Sequence, residues 1–185
     1  MRIRPYKEKD RDDVRYICLN CDGPSDMSPE GEHFILTAYC DYYIEREKEN
    51  CFVAADEDDK AVGYILCAED FESFIHCFRE EYIPRIPEDQ TEYIGYAKAS
   101  TAVQEKYKNE YPAHLHIDIM PEYQRMGLGH KLMDTLLSHL KDKGIKGIVL
   151  SVADFNDKGI AFYKKYGFTL AESSSDGIAF VKKLN

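Results

Sequence analysis

No stretch of this 185-residue sequence approaches the roughly 18 consecutive apolar residues that a membrane-spanning helix needs. The opening residues, Met1-Arg2-Ile3-Arg4-Pro5, lack the apolar segment of a secretory signal peptide. Internal repeats and low-complexity tracts are also missing. We therefore expect a soluble, globular, cytoplasmic protein without a membrane partner.

Basic residues are too few for a typical nucleic-acid-binding protein. Lys and Arg number 24 against 34 Asp and Glu, which gives a net charge of −10. Because DNA- and RNA-binding domains carry a basic surface, no nucleic-acid partner is expected. An acidic surface would suit a cationic small molecule or peptide, and it also serves plain solubility.

Cysteine is missing from the second half of the chain, since all six cysteines lie between positions 18 and 77. This distribution predicts reduced thiols instead of a disulfide framework. Cys18 and Cys21 form one C-x-x-C, but no second Cys or His pair follows at zinc-finger spacing. We expect these two thiols, one helical turn apart, to lie in or near the core.

The length fits a single domain of residues 1–185. Hydrophobic periodicity and turn residues predict a mixed α/β order with helices on both faces of a sheet. The predicted strands cover about 2–6, 51–55, 61–67, 113–120, 146–152, 168–173 and 178–183. The predicted helices cover about 11–20, 32–49, 127–142 and 157–166.

Residues 69–112 are too long for a hairpin and too apolar for a disordered linker. Phe71, Phe74, Ile75 and Phe78 recur at helical spacing, which predicts a long helical insertion between the third and fourth strands. A long insertion of this kind often forms the lid or wall of a binding site. The segment is therefore predicted to be an acceptor-site wall or lid, with an oligomer contact, such as a homodimer interface, as the equal alternative.

The most informative stretch is Gln124-Arg125-Met126-Gly127-Leu128-Gly129. It follows an apolar strand and opens an amphipathic helix. A glycine-rich turn at a helix start directs several backbone N–H groups to one point, with the positive end of the helix dipole behind them. This stretch therefore predicts a bound phosphate, and above all a pyrophosphate, at residues 124–130.

The residues downstream point to a family. Asn156 is followed by Phe162-Tyr163 and Gly167-Phe168, which gives the pattern N-x5-FY-x3-GF. With Ile119-Met120-Pro121-Glu122-Tyr123 and the glycine turn, residues 113–168 resemble the GNAT superfamily of acetyl-CoA-dependent N-acetyltransferases. The resemblance implies an α/β (α+β) fold with a mixed, mostly antiparallel central sheet, and acetyl-CoA as co-substrate.

A narrower resemblance lies just upstream. Residues 111–119, Tyr-Pro-Ala-His-Leu-His-Ile-Asp-Ile, are similar to the acetyltransferase-like domain of eukaryotic O-GlcNAcases and to its free-standing bacterial relatives. In the eukaryotic domains the glycine-rich turn is degraded, whereas Gly127 and Gly129 are both present here. The chain is therefore expected to be competent to bind acetyl-CoA.

The family pattern implies a role for each matching residue. The backbone of Ile119 would pair with the pantetheine arm, Asn156 would hydrogen-bond the cofactor arm, and Tyr163 would protonate the departing thiolate. Tyr166 lies on a different face of the same helix, so Tyr163 is preferred. The cofactor-binding turn comprises Gln124, Arg125, Met126, Gly127, Leu128, Gly129 and His130, with the backbone N–H groups from Arg125 onward on the pyrophosphate.

One face of the preceding strand carries polar side chains. His114, His116 and Asp118 alternate along it, while the apolar residues between them share the other face. If the apolar face packs on helix 127–142, the polar face looks toward the acceptor amine. A His or a carboxylate there can remove an ammonium proton, so His116 and Asp118 are the candidate bases, with Asp154 a lesser one. A structural role for the trio is the equal alternative.

The same trio, H-x-H-x-D, also resembles the metal-binding signature of metallo-hydrolases. That motif carries another His directly after the Asp, where this chain has Ile119. The remaining histidines offer no matching pattern of distant ligands. No metal ligand is therefore predicted.

Two functions follow from the resemblance. The first is an acetyl-CoA-dependent N-acetyltransferase that moves an acetyl group directly to a primary amine of a small molecule or a protein. The alternative is a non-catalytic, GNAT-like module that binds coenzyme A or a peptide, related to the C-terminal domain of O-GlcNAcases. The intact glycines of the turn, Gly127 and Gly129, favour the N-acetyltransferase over the non-catalytic module.

Overall fold

The computed structural model describes residues 1–22, 25–174 and 177–184. The strands are β1 (Arg2–Pro5), β2 (Phe52–Ala55), β3 (Ala61–Ala68), β4 (Ala113–Ile119), β5 (Gly147–Val152), β6 (Thr169–Ser174) and β7 (Gly177–Lys183). They form one seven-stranded sheet in the order β1-β2-β3-β4-β5-β7-β6. Neighbouring strands are antiparallel except β4 and β5, which run parallel. The predicted mixed, mostly antiparallel sheet is confirmed.

The helices are α1 (Arg11–Asn20), α2 (Pro29–Leu36), α3 (Tyr42–Arg46), α4 (Phe71–Cys77), α5 (Thr91–Ala99), α6 (Ala102–Tyr107), α7 (Leu128–Asp142) and α8 (Asp157–Tyr166). A π-helical turn joins α2 to α3, so the two form the helical stretch predicted from about residue 32. It begins earlier because the Ser28 hydroxyl accepts a hydrogen bond from the Gly31 N–H at 3.2 Å. Pro29 follows at the first helical position, where its missing N–H costs nothing.

Two hydrophobic cores lie on opposite faces of the sheet. Along β3, Tyr64 and Leu66 enter the first core, while Ile65 and Cys67 enter the second, as the period of two in a strand requires. The first core is covered by α1 to α5, and the second by α7 and α8. The buried stripe of α7 consists of Leu128, Leu132, Met133, Leu136, Leu137 and Leu140. Helices on both faces are therefore confirmed.

Residues 69–112 contribute α4, α5 and α6, which lie between β3 and β4 in the chain. Phe71, Phe74 and Phe78 of this segment are buried in the first core. Tyr93 of α5 stacks on Phe34 of α2 with the ring centroids 5.3 Å apart. The segment therefore covers the same face of the sheet as α1 to α3, and its role as an acceptor-site wall stays a prediction.

The six cysteines are all free thiols, with Cys40, Cys51 and Cys67 buried. Within the described ranges, no helix combines the length and the apolar character needed to cross a bilayer.

Candidate active site

The parallel pair of strands separates soon after it begins. Ala113 lies opposite Ile148 and His114 opposite Val149, and the described residues show no pairing of β4 with β5 beyond them. On its other edge, β4 stays paired with β3 as far as Ile119. The two parallel strands therefore diverge and leave an opening beside the second half of β4.

The end of β4 presents its backbone to this opening. The Met120 N–H donates to the Val62 carbonyl at 3.0 Å. Because successive residues of an antiparallel strand direct their backbone groups to opposite edges, Ile119 directs its N–H and C=O away from β3. The Gln124 side-chain amide donates to the Ile119 carbonyl at 2.9 Å. Ile119 thus lies where an extended ligand arm can add to the sheet.

A cleft of about 500 Å³ occupies the opening, which is within the usual size range of small-molecule sites. We call it the β4–α8 cleft. It is lined by parts of β4, the glycine turn, α8 and the end of α1, namely Ile117, Asp118, Ile119, Gln124, Arg125, Gly127, Gly129, His130, Asn156, Lys158, Gly159, Ala161, Phe162, Tyr163, Lys165, Cys21 and Asp22. Most of the predicted site residues therefore come together. The side chains of Leu128, in the second core, and of Met126, exposed to solvent, do not line it.

The two glycines of the turn serve different purposes. Gly127 caps the start of α7 with φ +79°, a left-handed conformation that costs other residues about 1–2 kcal/mol. Arg125 adopts a left-handed φ of +61° in the same turn. Gly129 gives the ring of Phe162 room, because a Cβ there would lie 3.3 Å from that ring, closer than ordinary van der Waals contact. The first glycine therefore shapes the turn, and the second lets α8 approach it.

Replacing Gly127 with Ala is expected to lower the free energy of unfolding by about 1 kcal/mol, because Ala is strained at positive φ. The matched control is Gly95→Ala in α5, where a Cβ meets no atom within 4 Å. That variant should be more stable than wild type by about 0.5–1 kcal/mol. Urea denaturation measures both changes. A Gly127→Ala protein as stable as the Gly95→Ala protein would contradict the assigned strain.

Asn156 is placed between the cleft and α8. It lines the cleft, and its Oδ1 accepts a hydrogen bond from the Gly159 N–H at 2.8 Å, which caps α8. The capping bond uses the oxygen, so the Nδ2 amide is not engaged in it and can donate to another group. Its bond to a cofactor arm stays a prediction.

Tyr163 lies on the cleft side of α8 and packs against Phe180, with the ring centroids 5.9 Å apart. Burial raises the pKa of the Tyr163 hydroxyl well above its ordinary value, and the charge of Asp118 raises it further. The hydroxyl is therefore protonated at neutral pH and is available as a donor. Tyr166, one turn of helix later, instead donates to Asp134 outside the cleft.

Asp118 is the only member of the polar trio that lines the cleft in the described structure. Tyr64, its partner across the β3–β4 ladder, donates its hydroxyl to the Asp118 carboxylate. Burial raises the pKa of Asp118, while the hydrogen bonds from Tyr64 and from the Cys21 thiol lower it in part. A carboxylate held in this way can accept a proton more readily than one in water.

His114 and His116 lie on the same face of the sheet as Asp118, but their side chains contact Tyr43 and not the β4–α8 cleft. Their Nε2 atoms lie 3.0 Å (His114) and 3.1 Å (His116) from the Tyr43 hydroxyl. Burial lowers the pKa of His114 to about 3 and that of His116 to about 4, so both are neutral at neutral pH. Neither lines the β4–α8 cleft. Among the described residues, no three His, Cys, Asp or Glu side chains are placed to hold a metal ion.

Sequence reasoning did not assign several residues to the site, among them Cys21 and Asp22, which line the cleft, and Tyr64, which donates a hydrogen bond to Asp118. Alternation along β3 predicts which face Tyr64 occupies, but only the register with β4 reveals that it meets Asp118. Cys21 and Asp22 follow α1 and reach the cleft through the packing of α1 on β3 and β4. No local sequence pattern predicts that these two residues reach the cleft.

Comparison with known proteins gives one family. The model of the "Acetyltransferase (GNAT) family" matches residues 19–168. Protein O-GlcNAcase of Rattus norvegicus is 28% identical over a region that covers 89% of this chain and 20% of that protein. The chain therefore spans about a fifth of the length of this curated relative.

Solved structures share the fold. A protein called SsHAT has a TM-score of 0.84 and 26% identity, with 100% of this chain and 98% of that chain covered. The PaiA N-acetyltransferase of Thermoplasma acidophilum, solved in complex with coenzyme A, has a TM-score of 0.61 and 18% identity, with 98% of each chain covered.

Proposed function

The chain belongs to the acetyltransferase (GNAT) family, and we propose that it transfers an acetyl group from acetyl-CoA directly to a primary amine of a small molecule or a protein. One observation carries the proposal: a single cleft collects the glycine turn, a protonated tyrosine and a half-buried carboxylate. These three parts bind a pyrophosphate, donate a proton and accept a proton, and acetyl transfer to an amine needs all three.

The residues of the cleft fit acetyl-CoA. The left-handed turn at Gly127 and the first N–H groups of α7 form an anion-binding start of a helix, which suits the pyrophosphate. The outward-facing backbone of Ile119 and the Nδ2 of Asn156 suit the amides of the pantetheine arm. When bound, acetyl-CoA supplies an acetyl group activated as a thioester.

The proposed chemistry uses two side chains. Asp118 accepts a proton from the ammonium group of the acceptor, which frees the nitrogen lone pair for attack on the acetyl carbon. Tyr163 donates its hydroxyl proton to the sulfur as the C–S bond breaks and the C–N bond forms. Tyr64 holds the Asp118 carboxylate by its hydrogen bond and acts as a positioning residue. The second nitrogen proton passes to the Tyr163 phenolate and Asp118 releases its proton to water, so the products are an amide, the free thiol and one proton.

Asp118 is the preferred base because it lines the cleft. His116 lies outside the cleft and is hydrogen-bonded to the Tyr43 hydroxyl. Both were candidates from the sequence, and the assignment stays a proposal.

A screen of primary amines tests the proposed function. Purified protein is mixed with acetyl-CoA and each amine, and the release of free thiol is followed. Amino acids, polyamines, aminosugars and lysine peptides form the panel, with a heat-denatured sample as blank. We expect release with at least one class. Calorimetric binding of acetyl-CoA without release by any class would favour the non-catalytic module, and no binding at all would overturn the proposal.

A further inference from the structure

A small cavity lies where the insertion meets the polar face of β4. Gln104 of α6, Thr101 just before that helix, Tyr43 of α3 and His114 of β4 are among the residues that line it. Its volume is about 10 Å³, which is about the minimum that one water molecule needs. We call it the α6–β4 cavity. It is separate from the β4–α8 cleft, because the two share no lining residue.

Two buried polar atoms in the lining of this cavity lack partners. The side chain of His114 is 1% exposed and that of Gln104 is 6% exposed. Within the part of the chain that the structure describes, neither His114 Nδ1 nor Gln104 Oε1 has a hydrogen-bond partner. Native proteins satisfy such buried atoms with protein groups or with ordered water. Two of them in the lining of one cavity indicate that the cavity holds a ligand that bonds both.

The hydrogen-bonding roles of the lining select the kind of ligand. Gln104 Oε1 can only accept a hydrogen bond. The Thr101 hydroxyl donates to the Lys98 carbonyl at 3.0 Å, so it too can only accept from the cavity. A ligand between these two oxygens must donate twice, and its own lone pair then needs a donor, which an Nδ1–H of His114 supplies. Water has two protons and two lone pairs, and buried waters typically make about three hydrogen bonds.

We propose that the α6–β4 cavity is the binding site of one internal water molecule, which accepts from the Nδ1–H of His114 and donates to Oε1 of Gln104. The water joins the insertion to the strand that carries Asp118. This inference is independent of the proposed function, since it involves neither acetyl-CoA nor an acceptor.

The water also determines where the protons of both histidines lie. The Tyr43 hydroxyl contacts the Nε2 atoms of His114 and His116 and has a single proton. Because both rings are neutral, one ring accepts from Tyr43 and the other donates to it. With its proton on Nδ1, His114 accepts at Nε2. His116 therefore carries its proton on Nε2 and donates to Tyr43.

Crystal structures at a resolution that shows ordered water test the site. In wild type we expect one density peak within hydrogen-bond distance of both His114 Nδ1 and Gln104 Oε1. The Gln104→Leu variant removes the acceptor oxygen and should lose the peak. The matched control is Gln90→Leu, the same change of side chain at the start of α5 and outside the cavity. It should keep the peak.

Proton positions are measured in solution by long-range ¹H–¹⁵N correlation spectra of the histidine rings, which distinguish protonated from unprotonated nitrogens. We expect wild type to carry the proton of His114 on Nδ1 and that of His116 on Nε2. This measurement needs no variant, so it tests the proposal even if Gln104→Leu fails to fold.

Four results would overturn the proposal. They are a wild-type crystal without the peak, a peak with the short ligand distances of a metal ion, a peak that persists in Gln104→Leu, and an unprotonated Nδ1 of His114 in wild type. The first two would reject water as the ligand. The third would reject Gln104 as its partner, and the fourth would reject His114 as its donor.

Discussion

Replacing Tyr163 with Phe is expected to lower kcat by about 100-fold and to leave the Kd for acetyl-CoA within about twofold. The change removes only the hydroxyl, and the ring that packs against Phe180 remains. A general acid acts on the transition state, so its loss appears in turnover and not in ground-state binding. Thiol release measures kcat, and calorimetry measures Kd.

The control for this variant is Tyr16→Phe on α1, which removes a hydroxyl from a side chain 58% exposed and outside the cleft. It should behave as wild type in both measurements. If the Tyr163→Phe protein turns over as fast as wild type, the hydroxyl is not the proton donor. If both affinity and turnover fall together, the residue serves binding.

Replacing Asp118 with Asn is expected to lower kcat/KM at neutral pH by about 100-fold or more, because the amide cannot accept the ammonium proton. In wild type, kcat/KM should fall as the pH drops through the pKa of Asp118, which burial raises above its ordinary value. The Asn variant should lose this acidic limb. A pH profile of thiol release for the two proteins measures the difference.

The same substitution should increase stability at neutral pH. The folded-state pKa of Asp118 is raised, so the folded state holds the proton more tightly than the unfolded state does. The tighter proton binding of Asp118 in the folded state stabilises the protein fully below the unfolded-state pKa. This stabilisation is lost as the pH rises through the folded-state pKa of Asp118. Above the raised folded-state pKa, the half-buried carboxylate carries a charge that its surroundings disfavour, and Asn removes that charge.

Urea denaturation at pH 7 should give the Asn variant the larger free energy of unfolding, with the gain shrinking in acid. Asp154→Asn, at an exposed position outside the cleft, is the control and should change neither activity nor stability. Loss of activity in the Asp154→Asn protein with full activity in the Asp118→Asn protein would reverse the assignment of the base.

The fold was predictable where the sequence is periodic. The leucine stripe of α7, the alternation along β4 and the glycines that end or begin helices each define one element locally. The family pattern then placed Gly127, Asn156 and Tyr163 in one site, and the structure brings them to the same cleft. The helices that carry them, α7 and α8, are separated only by β5 in the chain, so one family pattern spans all three residues.

The polar trio shows what the sequence does not determine. Alternation puts His114, His116 and Asp118 on one face of β4, but their surroundings depend on helices far away in the chain. Tyr43 of α3 binds both histidines, and Phe74 of α4 packs on His114 with ring centroids 4.5 Å apart. These contacts require the tertiary packing of two helices on the sheet, which no local pattern encodes.

In the proposed mechanism, the charge of Asp118 orders the two proton transfers. The negative charge of Asp118 is one of the two causes that raise the pKa of the Tyr163 hydroxyl. When Asp118 takes up the ammonium proton, that charge is neutralised and the hydroxyl becomes a stronger acid. In that mechanism, deprotonation of the acceptor prepares Tyr163 as the proton donor, and proton release from Tyr163 before an amine has arrived is disfavoured.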